Sequence, residues 1–361
     1  MPENPLKNIT YSRISTFVEC PMKEYWSYRV EGVGIKSTAP YKPFIVGDLL
    51  HYALAKFHDP QCQRMLRQNM INRVHKVIDA MGPLDPEKLN DMMVGLHGMV
   101  GACLGYKERY AGDKDNYETL FVEKAFAIER QGVVIRGKID WGVKTKQNKT
   151  MFVEEKSTAD SPSMLLNKYA LIPLNAQGLI YAEGFKSLTG EYPDLMCWDY
   201  VVKTALRQKG SPEKGNVEPL EMYIDRVQAQ YMEEPEKKFF RTPPLPVDPN
   251  LIKEVWKYLD NIILKMQTDV PYMNFNCLGM FGTPCPFADA CTSKLKGMKD
   301  GWNAGSCMGL YKLKEHQHEE LDGTPLPDDD DDVVTEEPKK KGKVSGGKEG
   351  KKARANAKAE A

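Results

Sequence analysis

The sequence has no surplus of charge: 50 lysines and arginines offset 50 aspartates and glutamates. That balance excludes a chain that holds nucleic acid by overall basicity, so any contact with a polyanion must come from a local basic surface. Nor does any apolar run approach the roughly 18 residues that a membrane-spanning helix requires. The opening "MPENPLKNIT" has no basic segment followed by an apolar one. The expectation is a soluble protein of the cytoplasm, with no membrane partner. Without an export signal, the eight cysteines argue against a disulfide framework and for reduced thiols or a metal site. Internal repeats are absent, as are zinc-finger, basic-zipper and RRM signatures that would read bases.

What is present is enough chain, 361 residues, for one large domain or two small ones. From about Pro327 it turns into "PDDDDDVVTEEPKKKGKVSGGKEGKKARANAKAEA", an acidic block followed by Lys, Gly and Ala with almost nothing to bury, which predicts a disordered tail over 327–361. The remainder, 1–326, reads as a single domain. "FIVGDLLHYALAKFHD" and the stretches Arg64 to Met81 and Pro86 to Tyr110 carry apolar residues at helical spacing, so a helical part is expected over about 44–112. Alternation then takes over in "TLFVEKAFAIE", "VVIRGKIDWGV" and "TMFVEEKST", three strand candidates, the last two joined by the polar turn "KTKQNK". A helix across "LNAQGLIYAEGFKSL" follows, then strands around Leu195 to Lys203 and Val217 to Ile224, giving a sheet core over about 118–225. Helices are expected around Val227 to Phe240 and Pro249 to Met266, and a Cys-, Gly- and Pro-rich segment from Asn276 to Cys291.

The third strand holds charge where its neighbours are apolar. Side chains alternate along a strand, so Glu154 and Lys156 share a face and Glu155 points away. A hairpin turning at Lys146 to Lys149 pairs this strand with the one before it and brings Asp140 close to Glu154. Two carboxylates at close range repel unless a cation sits between them, and a divalent ion does that best. Mg²⁺ takes hard oxygen ligands and keeps several waters. A lysine beside it can orient an attacking water or stabilise charge developing on a phosphate.

Further along the chain, "GDLLH" places Gly47 four residues before His51, and "QGLIY" sets Gln177 and Tyr181 at i and i+4 on one helix face. Near the N-terminus "YSRISTFVECPMKEYW" reads as a short helix opened by Ser12 or Ser15 and ended by Cys20 and Pro21. About 250 residues later come Cys277, Cys285 and Cys291. One early cysteine and three late ones suit a cluster that ties the two ends of a domain together. Four thiolates can hold a [4Fe–4S] cluster or, in the same pocket, zinc.

The order Cys-Pro, G-x-x-x-H, G-x-x-D, E-x-K, Q-x-x-x-Y and a closing cysteine trio, spanning Tyr11 to Cys291, resembles the PD-(D/E)XK nuclease superfamily. Within it the order is most similar to the RecB-like branch with an iron–sulfur cluster, which includes the AddB nuclease domain and the CRISPR-associated Cas-four exonucleases. The resemblance implies an α/β, restriction-endonuclease-like core: a central mixed β-sheet flanked by helices, with a helical N-terminal region and a Cys-rich C-terminal segment. It also implies hydrolysis of DNA phosphodiesters with Mg²⁺ or Mn²⁺, in recombination, repair or end processing. By the same carry-over His51, Asp140, Glu154 and the carbonyl of Glu155 are metal ligands, and Lys156 positions or activates the water. Gln177 and Tyr181 steady Lys156 or the phosphate, and Cys20, Cys277, Cys285 and Cys291 hold the cluster.

This sequence departs from the family pattern in two ways. The family's late cysteines run C-x2-C-x5-C, whereas here seven residues separate Cys277 from Cys285, which leaves Cys307 open as a substitute for Cys277. "EEK" lets either glutamate be the motif's acid, and alternation favours Glu154. The implied partner is single-stranded DNA or duplex ends, with recombination or replication proteins as further partners. DNA would be gripped through its backbone by Lys and Arg near "VVKTALRQKG", and Tyr25, Trp26 or Tyr28 would stack on a base or pack in the core. The rival reading is a non-catalytic DNA-binding or interaction subunit stabilised by iron–sulfur or zinc.

Overall fold

A computed structural model describes residues 6–39, 42–59, 67–82, 84–210, 215–275, 277, 284–298 and 301–321. The charged segment from residue 327, and Cys62, lie outside them. In chain order the elements are β1 (Asn8–Thr10), α1 (Tyr11–Glu19), α2 (Pro21–Tyr28), β2 (Ile35–Ser37), α3 (Lys42–His58), α4 (Arg67–Ala80), α5 (Pro86–Arg109) and α6 (Asp113–Asn116). Next come β3 (Tyr117–Arg130), β4 (Val133–Thr145), β5 (Thr150–Thr158), α7 (Pro162–Tyr169), α8 (Ala176–Thr189), β6 (Leu195–Val202), α9 (Leu220–Glu233) and α10 (Pro235–Lys238). The last are β7 (Phe239–Arg241), β8 (Leu245–Pro246), α11 (Pro249–Thr268), α12 (Ala288–Leu295) and β9 (Tyr311–Leu313). No helix among the described residues is long and apolar enough to cross a membrane.

The fold class is the expected one: an α/β chain with a central mixed sheet flanked by helices. The sheet runs β1-β4-β5-β6-β7, with β3 beside β4 and β8 beside β6. β3–β4 and β4–β5 are antiparallel hairpins, while β1–β4 and β5–β6 are parallel. The β3–β4 turn puts Gln131 and Gly132 at φ 49° and 74°, as a two-residue turn matched to strand twist requires. β5 reaches its parallel neighbour β6 through α8, as parallel strands need a crossover. α1, α8 and α11 cover one face, packing Phe17, Leu179, Phe185, Trp256 and Ile263 onto Phe126, Ile135, Phe152 and Trp198. α3 lies against β3, β4 and β5 and packs on α5, which in turn carries α9.

Two features of the sheet set the position of the site. β3 runs along the whole of one edge of β4. The other edge is divided: β1 takes Val134 to Arg136 and β5 takes Trp141 to Lys144, which leaves Gly137 to Asp140 facing a gap. At the same place the inside–outside alternation changes phase. Ile135 and Ile139 of β4 join the α1/α8/α11 core, yet Trp141 and Val143 join the opposite cluster with Val153 and Cys197. On β3, Phe126 and Val122 divide in the same way. At this point β3 carries Glu123 at φ 47°, opposite Asp140 in a register that pairs Val122 with Trp141 and Lys124 with Ile139.

Sequence expectation and structure part in three places. Val217 to Ile224 is not a strand: α9 starts at Leu220 and buries Tyr223, Ile224, Val227 and Tyr231, a helical spacing pressed onto Gly98, Gly101 and Gly105 of α5. A Cβ on Gly101 would stand 2.8 Å from Val227 Cβ and from the Ile224 carbonyl oxygen, so only glycine admits this approach. Val227 to Phe240 is not one helix either, because Pro235 follows the end of α9 and Phe239–Arg241 form the strand β7 on β6. Finally, Thr10 caps α1 rather than Ser12 or Ser15, accepting from the Arg13 N–H at 3.2 Å.

Candidate functional site

The gap beside Gly137 to Asp140 opens into a cleft lined by Ser12, Gly47, His51, Arg136, Lys138, Asp140, Glu154, Lys156, Gln177 and Tyr181, among others. Four elements deliver the six side chains: His51 comes from the third turn of α3, Asp140 from β4, Glu154 and Lys156 from β5, and Gln177 and Tyr181 from the first turns of α8. Asn175 sets where α8 begins, capping the N–H groups of Gln177 and Gly178.

Asp140 is held at both oxygens. Its Oδ1 lies 3.4 Å from His51 Nδ1, and its Oδ2 accepts the Glu155 N–H at 2.8 Å, a bond that continues the β4–β5 ladder through a side chain. Glu154 Oε1 accepts from Lys156 Nζ and, at 2.7 Å, from Gln177 Nε2. Its Oε2 is buried and has no partner. Gln177 therefore steadies Glu154 rather than Lys156. Tyr181 packs edge-on to Phe126 with its ring 5.5 Å away.

The electrostatics follow from burying like charges together. Burial, reinforced by the Asp140 charge, pushes the Glu154 carboxyl up to about 7. Burial acts on Asp140 the same way, but His51, Lys156 and the Glu155 N–H outweigh it and hold Asp140 below the usual carboxylate range. For His51 and Lys156 burial works against the charge, yet Asp140 and Glu154 overcome it and raise both. The motif is thus a network of buried acids made tolerable by two cations.

Glu155 faces the other side of the sheet, as alternation requires. Its Oε1 is 2.9 Å from His58 Nε2, and His58 stacks on Trp141 with ring centroids 3.6 Å apart. Burial, then Arg241, drives His58 far below its ordinary value. Burial, then Asp140 and Asp199, drives Glu155 far above its own. Anchored there, Glu155 presents its peptide group to Asp140.

Glu123 was not expected. Among the described residues, one set of three or more possible metal-ligating side chains has its ligand atoms all within 4.8 Å of one another: His51, Glu123 and Asp140. The sequence did hold a signal for it. A turn at Gln131–Gly132 pairs residues whose numbers sum to 263, which places Glu123 opposite Asp140.

The early and late cysteines also meet: Cys20, Cys277, Cys285 and Cys291 line one small pocket with Lys23, Met273 and Phe287. Trp26 Nε1 points at Cys291 Sγ, 3.2 Å away. Cys307 sits elsewhere, buried with its thiol 3.1 Å from Ser293 Oγ. Trp26 and Tyr28 are core residues, and Tyr25 lies under the Lys294 ammonium. Lys203, Arg207 and Lys209 line a second hollow with Lys42, and Pro43 borders both it and the cleft.

The family model of the PD-(D/E)XK nuclease superfamily matches residues 8–292. No curated protein matches the chain. Among solved structures, one from Eubacterium rectale, provisionally designated an exonuclease, shares 11% identity over 75% of this chain and 86% of its own, with a TM-score of 0.41. The structure of SSO0001 shares 13% identity over 60% of this chain and 92% of its own, with a TM-score of 0.25.

Proposed function

Because the chain belongs to the PD-(D/E)XK nuclease superfamily, we propose that it is a divalent-metal-dependent DNA exonuclease of the RecB-like type, acting in recombination, repair or end processing. The observation that carries this reading is the meeting of Asp140, Glu154 and Lys156 in one cleft, with a buried Glu154 oxygen that has no hydrogen-bond partner among the described residues. Such an oxygen costs free energy unless a cation or water completes it. The donors suit Mg²⁺ or Mn²⁺: His51, Asp140, Glu154 and the carbonyl of Glu155 would hold the ion. When bound, the metal supplies a more acidic water and neutralises phosphate charge.

The chain's own groups do the positioning. Lys156 carries its ammonium into the cleft, where it orients the attacking water and meets charge on the phosphate. Gln177 and Lys156 together fix Glu154, while the Glu155 N–H and His51 fix Asp140. Arg136 and Lys138 line the same cleft and would meet neighbouring phosphates, and the hollow with Lys42, Lys203, Arg207 and Lys209 would extend the basic surface away from it. DNA held this way binds through its backbone and weakens steeply as salt rises.

The four cysteines would hold a [4Fe–4S] cluster that clamps α1 and α2 to the segment near α12. Its support is the one pocket that the four thiols share, with four thiolates the usual ligand set of such a cluster. The test is degradation of 5′- and 3′-labelled single- and double-stranded DNA by anaerobically purified protein with Mg²⁺ or Mn²⁺. Wild type is expected to release end products, and Asp140→Ala to lose at least about 10³-fold. Equal activity in the two preparations overturns the assignment.

A further inference from the structure

Glu123 takes no part in the reading above, yet it occupies the most unusual backbone position in the sheet. Deepening that reading, and resting on it, we infer that Glu123 supplies a carboxylate ligand to the divalent cation at His51 and Asp140, and that Lys138 is the cation it holds when the metal is absent.

The argument begins with the backbone. Glu123 sits at φ 47° in mid-strand, which for a residue with a Cβ costs on the order of 1 kcal/mol or more. An ordinary surface ion pair with Lys138, worth at most about 1 kcal/mol, requires no such conformation. What the conformation achieves is placement. The β3–β4 register runs unchanged past Glu123, with Val122 opposite Trp141 and Lys124 opposite Ile139, and the Glu123 carboxylate reaches toward His51, with Oε1 3.9 Å from His51 Nδ1. The ligand atoms of His51, Glu123 and Asp140 all lie within 4.8 Å of one another. Ligands on one Mg²⁺ or Mn²⁺ stand at most about 4.2 Å apart, twice a bond of about 2.1 Å, so rotamer shifts of less than 1 Å bring the three onto one ion.

The acceptor count points the same way. Glu123 Oε2 binds Lys138 Nζ, but Oε1 is buried and has no hydrogen-bond partner. Independently, Glu154, which lines the cleft with His51, Asp140 and Lys138, has a side chain only 2% exposed, and its Oε2 is likewise unpartnered. Three carboxylates therefore converge with two ammonium groups, Lys138 and Lys156, and two of the oxygens are left over. A divalent ion drawn to His51, Glu123 and Asp140 would complete the unpartnered Glu123 oxygen. Lys138, about one-third exposed, has a free path to swing toward solvent as it enters.

The test is calorimetric titration of Mn²⁺ into the metal-stripped full-length protein, with free Mn²⁺ followed in parallel by its paramagnetic resonance signal. Glu123→Gln is expected to weaken binding by at least about tenfold, as loss of a ligand should cost no less than loss of a supporting contact. Lys138→Met is expected to tighten binding by about fivefold, since it removes the competitor for Glu123, a pair worth up to about 1 kcal/mol. Asp140→Asn is expected to abolish it. If Glu123→Gln binds within twofold of wild type while Asp140→Asn does not bind, this inference fails and the metal site stands. If Asp140→Asn binds like wild type, the metal site itself fails. Should Glu123→Gln not fold, Lys138→Met decides alone, because unchanged or weaker binding there overturns the inference.

Discussion

Gly178 offers a test in which helix propensity and packing give opposite signs. It lies in the first turn of α8, where alanine is worth about 1 kcal/mol over glycine in an exposed helix interior. Here, however, a Cβ would stand 2.4 Å from Cη2 and 3.0 Å from Cζ2 of Trp198, and 3.6 Å from the Met196 sulfur. Comfortable carbon contacts begin near about 3.5 Å, so the helix or the indole must move by about 1 Å. The indole has little room, since Trp198 is only 2% exposed. Overpacking of this kind costs about 1–3 kcal/mol. We therefore expect Gly178→Ala to lower stability by about 1–2 kcal/mol net, seen as a lower urea midpoint at unchanged slope. Lifting α8 also draws Gln177 away from Glu154, now 2.7 Å apart, so DNA cleavage should fall in folded protein. Trp198→Phe removes the clashing atoms, and adding Gly178→Ala in that background should cost at least about 1 kcal/mol less than in wild type. A Gly178→Ala variant as stable as wild type, or strict additivity in the double variant, refutes the reasoning.

Two further outcomes follow from buried and partly buried charge. Arg13 and Glu24 are fully buried, 2.7 Å apart, and Glu24 also receives Arg29 at 2.5 Å, so Glu24→Gln should cost about 3–5 kcal/mol by chemical denaturation. A loss under 1 kcal/mol would show that Arg13 finds other compensation. The second concerns Glu218, which the Arg226 guanidinium first, then burial partly opposing it, hold down to about 2. A depressed carboxyl stabilises the fold above its unfolded value near 4.5 and loses that contribution as pH falls toward 2. Screened by solvent, the pair contributes about 1 kcal/mol, and Glu218→Gln should remove it at pH 7 but change little at pH 2. Identical loss at both pH values would sink this account.

How far the sequence spoke for the structure depended on the length of the periodic signal. The β4–β5 hairpin, the shared face of Glu154 and Lys156, and the helices α3, α4, α5, α8 and α11 rest on runs long enough for period 2 or 3.6 to show. α9 did not, because "VEPLEMYI" mixes β-branched and aromatic residues, and what settles it as a helix is the glycine-lined surface of α5, a tertiary fact. β1, β2, β7, β8 and β9 are two or three residues each, too short for any pattern, though β1 forms one wall of the cleft gap. Glu123 was hidden for a different reason. A strand reading assumes constant alternation, and here the alternation changes phase at the point where the charges gather.

The divided edge of β4 bears on biosynthesis. Its first wall is made by residues 8–10, its second by residues 150–158, and the rim of the cleft is closed by Glu320 and Leu321, with Thr10 donating to Glu320 at 2.8 Å. A chain emerging from the ribosome therefore carries its opening strand unpaired until the hairpin follows. It cannot complete the cleft until residue 321 has cleared the exit tunnel.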